Sequence, residues 1–279
     1  MKLFEARVAE QAEAYDDMFE IVKELIHQKI HESEGKELSY TNEERVLMSS
    51  CFKKYIKENQ KALKTLFIVK DPVKNPSKAY NQVQNGVELF LQKCQWELRD
   101  QCLNVITFLT STHALHPEDR EDAAAPQLIQ LEEQKEVEGK LCTVETDVFI
   151  QQLIGDFYRY IAQAFPNEDS DEHKDSLDKA ERAYKIAQKI AATKEMHPCN
   201  PIRMGLSLNL AVFFFEVLDD KKSAKKLANE AIILAEDQID KIDEATYKEA
   251  KTLLALLKEN LEQWTLLTAD EEEEDEQQI

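Results

Sequence analysis

Two groups of residues in this chain could grip an anion. Arg159 and Tyr160 adjoin in the stretch VFIQQLIGDFYRYIAQAF, and Lys53, Lys57, Gln60 and Lys64 stand at i, i+4, i+7 and i+11. On one helix the second set is a single stripe, and lysines gathered on a stripe stand out in a chain of formal net charge −20. If the two helices face each other, guanidinium, ammonium and phenol converge. That set suits a phosphate: arginine supplies two parallel N–H donors, lysine a point charge and tyrosine an O–H. The plainer reading is a solvated face whose lysines pair with acids one turn away.

A second chemistry lies in residues 200–218, NPIRMGLSLNLAVFFFEVL. Asn200 before Pro201 reads as a helix cap followed by proline at the first helical position. Leu206, Leu210, Phe213, Phe214 and Val217 then form an apolar face for a core. Gly205, Leu208, Asn209, Val212 and Glu216 fall on a neighbouring stripe that mixes apolar, amide and acid groups. A second amide, Asn260, shares a stripe with Leu253 and Leu256. An amide side chain both donates and accepts, so Asn209 and Asn260 could hold an extended peptide backbone against a wall of Leu208, Val212, Leu253 and Leu256.

Catalytic motifs are missing: the chain has no GxSxG, HExxH, Walker or GxGxxG sequence. His27 and His31, at i,i+4, offer two metal ligands without a third at a fixed spacing. His197 and Cys199 flank Pro198 and could form a thiol–imidazole pair. The five cysteines are scattered and odd in number, with no CxxC, which reads as reduced thiols of a cytosolic protein. The negative charge argues against nucleic acid and anionic membrane as partners. No apolar run has membrane-spanning length and the start lacks a signal peptide. No cofactor and no metal are implied, and the expected location is cytoplasmic, with the nucleus also open to it.

The elements that would position these groups are helices. With 43% hydrophobic residues, 5 glycines and 7 prolines, the chain can build a core and is poor in tight turns. The periodicity predicts about nine helices and no strands. Residues 1–33 read as helical, interrupted near Tyr15-Asp16-Asp17. A cap at Thr41-Asn42-Glu43-Glu44 opens one long helix to about Lys70. Another runs from about Ser77 to His113, and the prolines at 72 and 76 separate the two. Residues 114–144 read as a long irregular connection holding one short helix. Further helices are expected over 146–165, 175–194, 201–218, 222–239 and 244–265, and the acidic run Asp270–Glu276 is expected to be disordered.

Five segments carry a family resemblance: AEQAEAYDDM at 9–18, SYTNEERVLMSSCFKK at 39–54, GDFYRYIA at 155–162, the 200–218 helix, and YKEAKTLLALLKENLEQWT at 247–265. The chain resembles the 14-3-3 proteins, dimeric all-α adaptors built of nine antiparallel helices with an amphipathic groove that binds phosphoserine or phosphothreonine peptides. The resemblance implies one such domain over 1–267, with an enlarged loop at 114–144 and an acidic tail at 268–279. It implies phosphate ligands at Lys53, Arg159 and Tyr160, backbone clamps at Asn209 and Asn260, and a polar groove residue at Glu216. Leu208, Val212 and Leu256 become the apolar wall, with Trp264 at its end. Val8, Ala12, Asp17, Ala62, Leu66, Phe90 and Lys93 fall at the dimer contact, Asp17 and Lys93 as an ion pair across it.

Departures from the family pattern accompany these matches. Gln60 stands where the family has its second phosphate arginine, Gln152 where a groove lysine is common, Gln263 where the groove is apolar, and Ala14 where an arginine serves the dimer contact. Lys57, one turn from both Lys53 and Gln60, could bring an ammonium toward the phosphate in place of that arginine, or point to solvent. The implied partners are phosphorylated client proteins and a second copy or a related chain, not nucleic acid or membrane. The competing reading is a divergent helical scaffold that binds unphosphorylated or acidic segments.

Overall fold

A computed structural model of the chain describes residues 1–33, 35–70, 80–114 and 140–276, with side chains beyond 84 in the third stretch and up to 269 in the last. Ten α-helices occupy these residues: α1 (Lys2–Gln11), α2 (Tyr15–Glu32), α3 (Asn42–Tyr55), α4 (Lys57–Lys70), α5 (Tyr80–Thr112), α6 (Val144–Ala164), α7 (Asp171–Thr193), α8 (Pro201–Glu216), α9 (Lys221–Gln238) and α10 (Glu244–Glu276). The all-α reading holds. The prolines at 72 and 76, the expected start at Ser77 and the short helix within 114–144 lie outside the described residues. None of the described helices is long and apolar enough to cross a membrane.

Four local expectations are corrected. The helix expected over 41–70 breaks at Ile56, so the lysine stripe is divided between α3 and α4. The Ile56 side chain is fully buried, and its backbone turns with φ −97° and ψ −4°. The first interruption falls at Glu13, which takes φ 55°, rather than at 15–17. The last helix continues through the acidic run to Glu276 instead of stopping at 265. Two short strands are present, β1 (His113–Ala114) and β2 (Lys140–Leu141), paired in parallel.

The chain divides into two compact units, Met1–Thr146 with Phe157–Ala180, and Asp147–Asp156 with Glu181–Ile279. In the first, Thr41 caps α3: its hydroxyl accepts from the Glu44 N–H, and the Glu44 carboxylate accepts from the Thr41 N–H at 2.7 Å. Such a reciprocal cap satisfies two otherwise orphaned donors. An aromatic line forms the middle of this unit, with Phe19 edge-on to Phe52 at 5.8 Å and Phe52 edge-on to Phe157 at 6.4 Å. Glu10 ties α1 to α3 by accepting from Ser50 at 2.7 Å and Lys54 at 2.9 Å. The Lys54 and Ser50 hydrogen bonds hold its carboxyl down at about 2.

In the second unit, small residues let helices approach closely. Ala211, Ala224, Ala228, Ala235 and Ala250 share a core with Met204, Leu254, Leu257 and Trp264. Asn200 caps α8 as expected, accepting from the Ile202 N–H at 2.9 Å. All five cysteines are buried and none is joined in a disulfide. The thiol–imidazole reading of Cys199 and His197 is overturned: the His197 ring accepts from the Cys199 backbone N–H at 3.1 Å, while the thiol points to the Ala235 carbonyl at 3.4 Å.

A buried histidine ties β1 to Tyr40. His113 Nδ1 lies 3.0 Å from the Leu109 carbonyl, which only accepts, so Nδ1 carries the proton. Nε2 therefore accepts from the Tyr40 hydroxyl, 2.8 Å away. Burial pushes the His113 imidazole down to about 4, against the opposing pull of the Leu109 carbonyl. The unfolded chain takes up a proton near the ordinary histidine value of about 6.5, and the folded chain does so only near the lower one. Stability is therefore complete above about pH 6.5 and falls as the pH drops through that window. Between pH 7 and pH 5 the wild type should lose about 2 kcal/mol more in urea denaturation than His113→Gln, which retains an acceptor for Tyr40. Equal losses would show that His113 is not the group responsible.

Candidate functional site

Helix α6 carries chemistry on two of its faces. Toward its end the Arg159 guanidinium lies over the Tyr160 ring, with Cζ 4.6 Å from the centroid, and Arg159 is only 8% exposed. The Tyr160 ring in turn packs edge-on against Phe157 at 5.6 Å. Because Phe157 meets Phe52, the turn of α3 that bears Lys53 is a neighbour of the α6 turn that bears Arg159 and Tyr160. Lys53 is exposed. An ammonium, a guanidinium and a phenol are each donor types that a phosphate calls for.

The other lysines are disposed differently. Lys54 is drawn to Glu10, and its ammonium also sits 5.8 Å from the Tyr15 ring centroid. Lys57, past the break at Ile56, stands at the same 5.8 Å from that ring. Tyr15 thus faces two ammonium groups, a cation–π arrangement. Lys57 is itself exposed, so its ammonium meets both the Tyr15 face and solvent. Gln60 is half-buried and Lys64 exposed on α4.

The second unit holds the amide stripe. Gln152 and Asp156 are one turn apart on α6, and Gly205 and Asn209 one turn apart on α8. The Gln152 amide lies 3.9 Å from where a Gly205 Cβ would stand, and the Asn209 Nδ2 lies 3.1 and 2.9 Å from the two Asp156 carboxylate oxygens. Asp156 is 1% exposed and accepts a further hydrogen bond from the Tyr184 hydroxyl at 2.5 Å. Tyr184, on α7, is fully buried and packs against Phe213 with ring centroids 5.3 Å apart. Asp156 and Tyr184 escaped the sequence reading. An acid between Gly155 and Phe157, inside an apolar face, was the signal that could have found them.

Leu208, Val212 and Leu253 lean against the core of this unit with part of each side chain uncovered, and Leu256 is exposed. Glu216 is exposed in the last turn of α8, and Asn260 is half-buried on α10. Trp264 is expected at the end of that wall. It is 6% exposed and stacked on Phe215 at 4.8 Å.

At the expected dimer contact, α1 and α2 enclose an open hollow of about 660 Å³ whose lining includes Phe4, Val8, Ala12, Asp17 and Ile21. Phe4 is 73% exposed, Val8 is exposed, and so is Phe90 on α5. Ala62 is half-buried and Leu66 is buried in α4. Lys93 pairs within its own helix, 3.6 Å from Glu97. Among the described residues no three His, Cys, Asp or Glu side chains gather to hold a metal ion.

These features describe an all-α protein whose candidate polar groups sit on helices. The family model for the 14-3-3 protein matches residues 5–265. Human 14-3-3 protein theta is 30% identical over 270 residues, spanning 96% of this chain and 93% of that protein. The 14-3-3-like protein 1 of Caenorhabditis elegans is 30% identical over 271 residues, spanning 97% and 93%. The chain belongs to the 14-3-3 family, and with that membership comes the family's general role as a phosphopeptide-binding adaptor.

Gly155 sets how near α7 can come. A Cβ there would lie 2.9 Å from two carbons of the Tyr184 ring, whereas a Cβ at Gly205 would meet only the Gln152 amide at 3.9 Å. Gly155→Ala should therefore destabilise by about 1–3 kcal/mol through overpacking. Gly205→Ala should be neutral or stabilising by about 0.5–1 kcal/mol. Chemical denaturation of the two variants checks the contrast.

Proposed function

We propose that this protein is a non-catalytic adaptor that docks phosphoserine- or phosphothreonine-bearing segments of client proteins. The observation that carries the reading is the Arg159–Tyr160 pair beside the Lys53 turn. Lys53 and Arg159 supply charge-assisted donors to the phosphate and Tyr160 a hydroxyl, while Asn209 and Asn260 take the client backbone. Leu208, Val212, Leu253 and Leu256 take its apolar side chains. Gln60 is a neutral amide and supplies no charge.

A phosphate carries nearly two negative charges at neutral pH. Replacing a forked arginine by an amide costs a bidentate contact, on the order of 1.5–3 kcal/mol or ten- to a hundredfold in affinity. Gln60→Arg should accordingly tighten phosphopeptide binding by about tenfold or more. Lys53→Ala should weaken it at least as much, and Lys57→Ala should leave it unchanged, because Tyr15 already holds that ammonium. The decisive comparison is one peptide titrated with and without its phosphate. Equal affinity would favour the alternative, a scaffold for unphosphorylated or acidic segments, which the neutral Gln60 and Gln152 would suit.

The exposed Phe4, Val8 and Phe90 support self-association through α1, α2 and α5, in a homodimer or with a related chain. Ala14 lacks the charge for one ion pair, a loss worth only about 0–1 kcal/mol at an exposed position. Sedimentation at micromolar concentration should find a dimer, and Val8→Asp should shift it toward monomer. A wild-type monomer throughout the range would refute the assembly.

A further inference from the structure

We infer that Asp156 is a positioning residue: its buried carboxylate, seated by the Tyr184 hydroxyl, fixes the Asn209 amide with nitrogen inward and carbonyl oxygen outward, so that the clamp accepts a backbone N–H from the client. This rests on the peptide-docking reading above and adds the polarity of the contact. A carboxylate accepts hydrogen bonds and does not donate them. The Asn209 atom 2.9 and 3.1 Å from the two carboxylate oxygens is therefore the Nδ2, and the opposite orientation would place oxygen against oxygen. Tyr184 donates to Oδ1 from the other side, which leaves the carboxylate little freedom to turn. Gly155, next in the chain, lets the Tyr184 ring approach closely enough to do this.

The fixed polarity has a consequence for recognition. An asparagine free to flip could serve either a client N–H or a client carbonyl. With Nδ2 turned to the carboxylate and one of its two N–H groups given to it, Asn209 presents its oxygen outward, and the client residue that meets that oxygen must have a backbone N–H. Proline at that position is rejected, as is any residue whose amide nitrogen is methylated. An acceptor that the bound client covers and leaves unmatched loses its whole hydrogen bond, which makes the rejection strong.

The test uses the full chain and a set of phosphoserine nonapeptides, each with one backbone amide methylated. Against the wild type, one methylated peptide should bind about tenfold more weakly than its parent. Against Asp156→Asn, whose amide can present either atom to Asn209, the parent should bind about tenfold more weakly and the methylation penalty should shrink severalfold. A full penalty retained in Asp156→Asn overturns the inference. So does the absence of any sensitive position in a wild type that binds the parent peptide.

Side-chain amide NMR of Asn209 reads the same arrangement without a client. The wild type should show slowed exchange of the Nδ2 protons, and Asp156→Asn should speed it, with Tyr184→Phe an intermediate case should Asp156→Asn fail to fold. Unchanged exchange in the variants overturns the positioning role. If the phosphorylated and unphosphorylated peptides bind alike while the exchange behaves as expected, the docking function fails and the positioning of Asn209 stands.

Discussion

A carboxylate removed from water must find partners, and Asp156 sets the terms for the helices around it. Stripping a charge of its hydration costs several kcal/mol unless donors replace the water. Here the donors are a phenol from α7 and an amide from α8, on different elements from the acid itself. Both helices are thereby held at hydrogen-bond distance from one point on α6. The glycine beside the acid follows from that demand, since a methyl group would push the phenol away. One charge in an apolar face thus accounts for a tyrosine, an asparagine and a glycine that would otherwise look like separate choices.

The same economy of charge separates three lysines that look alike in the sequence. Lys53, Lys54 and Lys57 lie within two turns, yet Lys54 is half-buried and drawn to Glu10, Lys57 is exposed with its ammonium 5.8 Å from the Tyr15 ring, and Lys53 is exposed. The deciding groups sit in the first helices, some forty residues earlier. No periodicity argument on α3 alone reaches them. Lys54 is held by a carboxyl that stays ionised down to about 2, so this arrangement persists at any pH the folded chain meets in a cell.

The helices were legible because their signals are local. Apolar residues recur at helical spacing, and the Thr41 and Asn200 caps sit where their side chains announce them. The family motifs located the cation, phenol and amides by type. What escaped depends on contacts distant in the chain. The break at Ile56 has no glycine or proline to mark it and goes with a side chain sunk wholly in the core. The stacking of Trp264 on Phe215 joins two helices far apart in the chain. The pairing of His113–Ala114 with Lys140–Leu141 joins residues too few to show an alternating pattern.

That short parallel pair makes residue 114 and residue 140 neighbours in space, although the chain between them runs through two dozen positions. Leu38 reinforces the junction, donating its N–H to the Leu141 carbonyl at 2.8 Å and accepting from Thr143 at 3.0 Å. Residues 114 and 140 thus form a single gate where a connecting segment leaves and re-enters the described fold. The entropy of closing such an excursion grows only logarithmically, about 0.6 kcal/mol for each doubling of its length. The gate makes this a natural graft point: a different length of chain, or a foreign peptide, could be spliced there at little thermodynamic expense to the helices on either side.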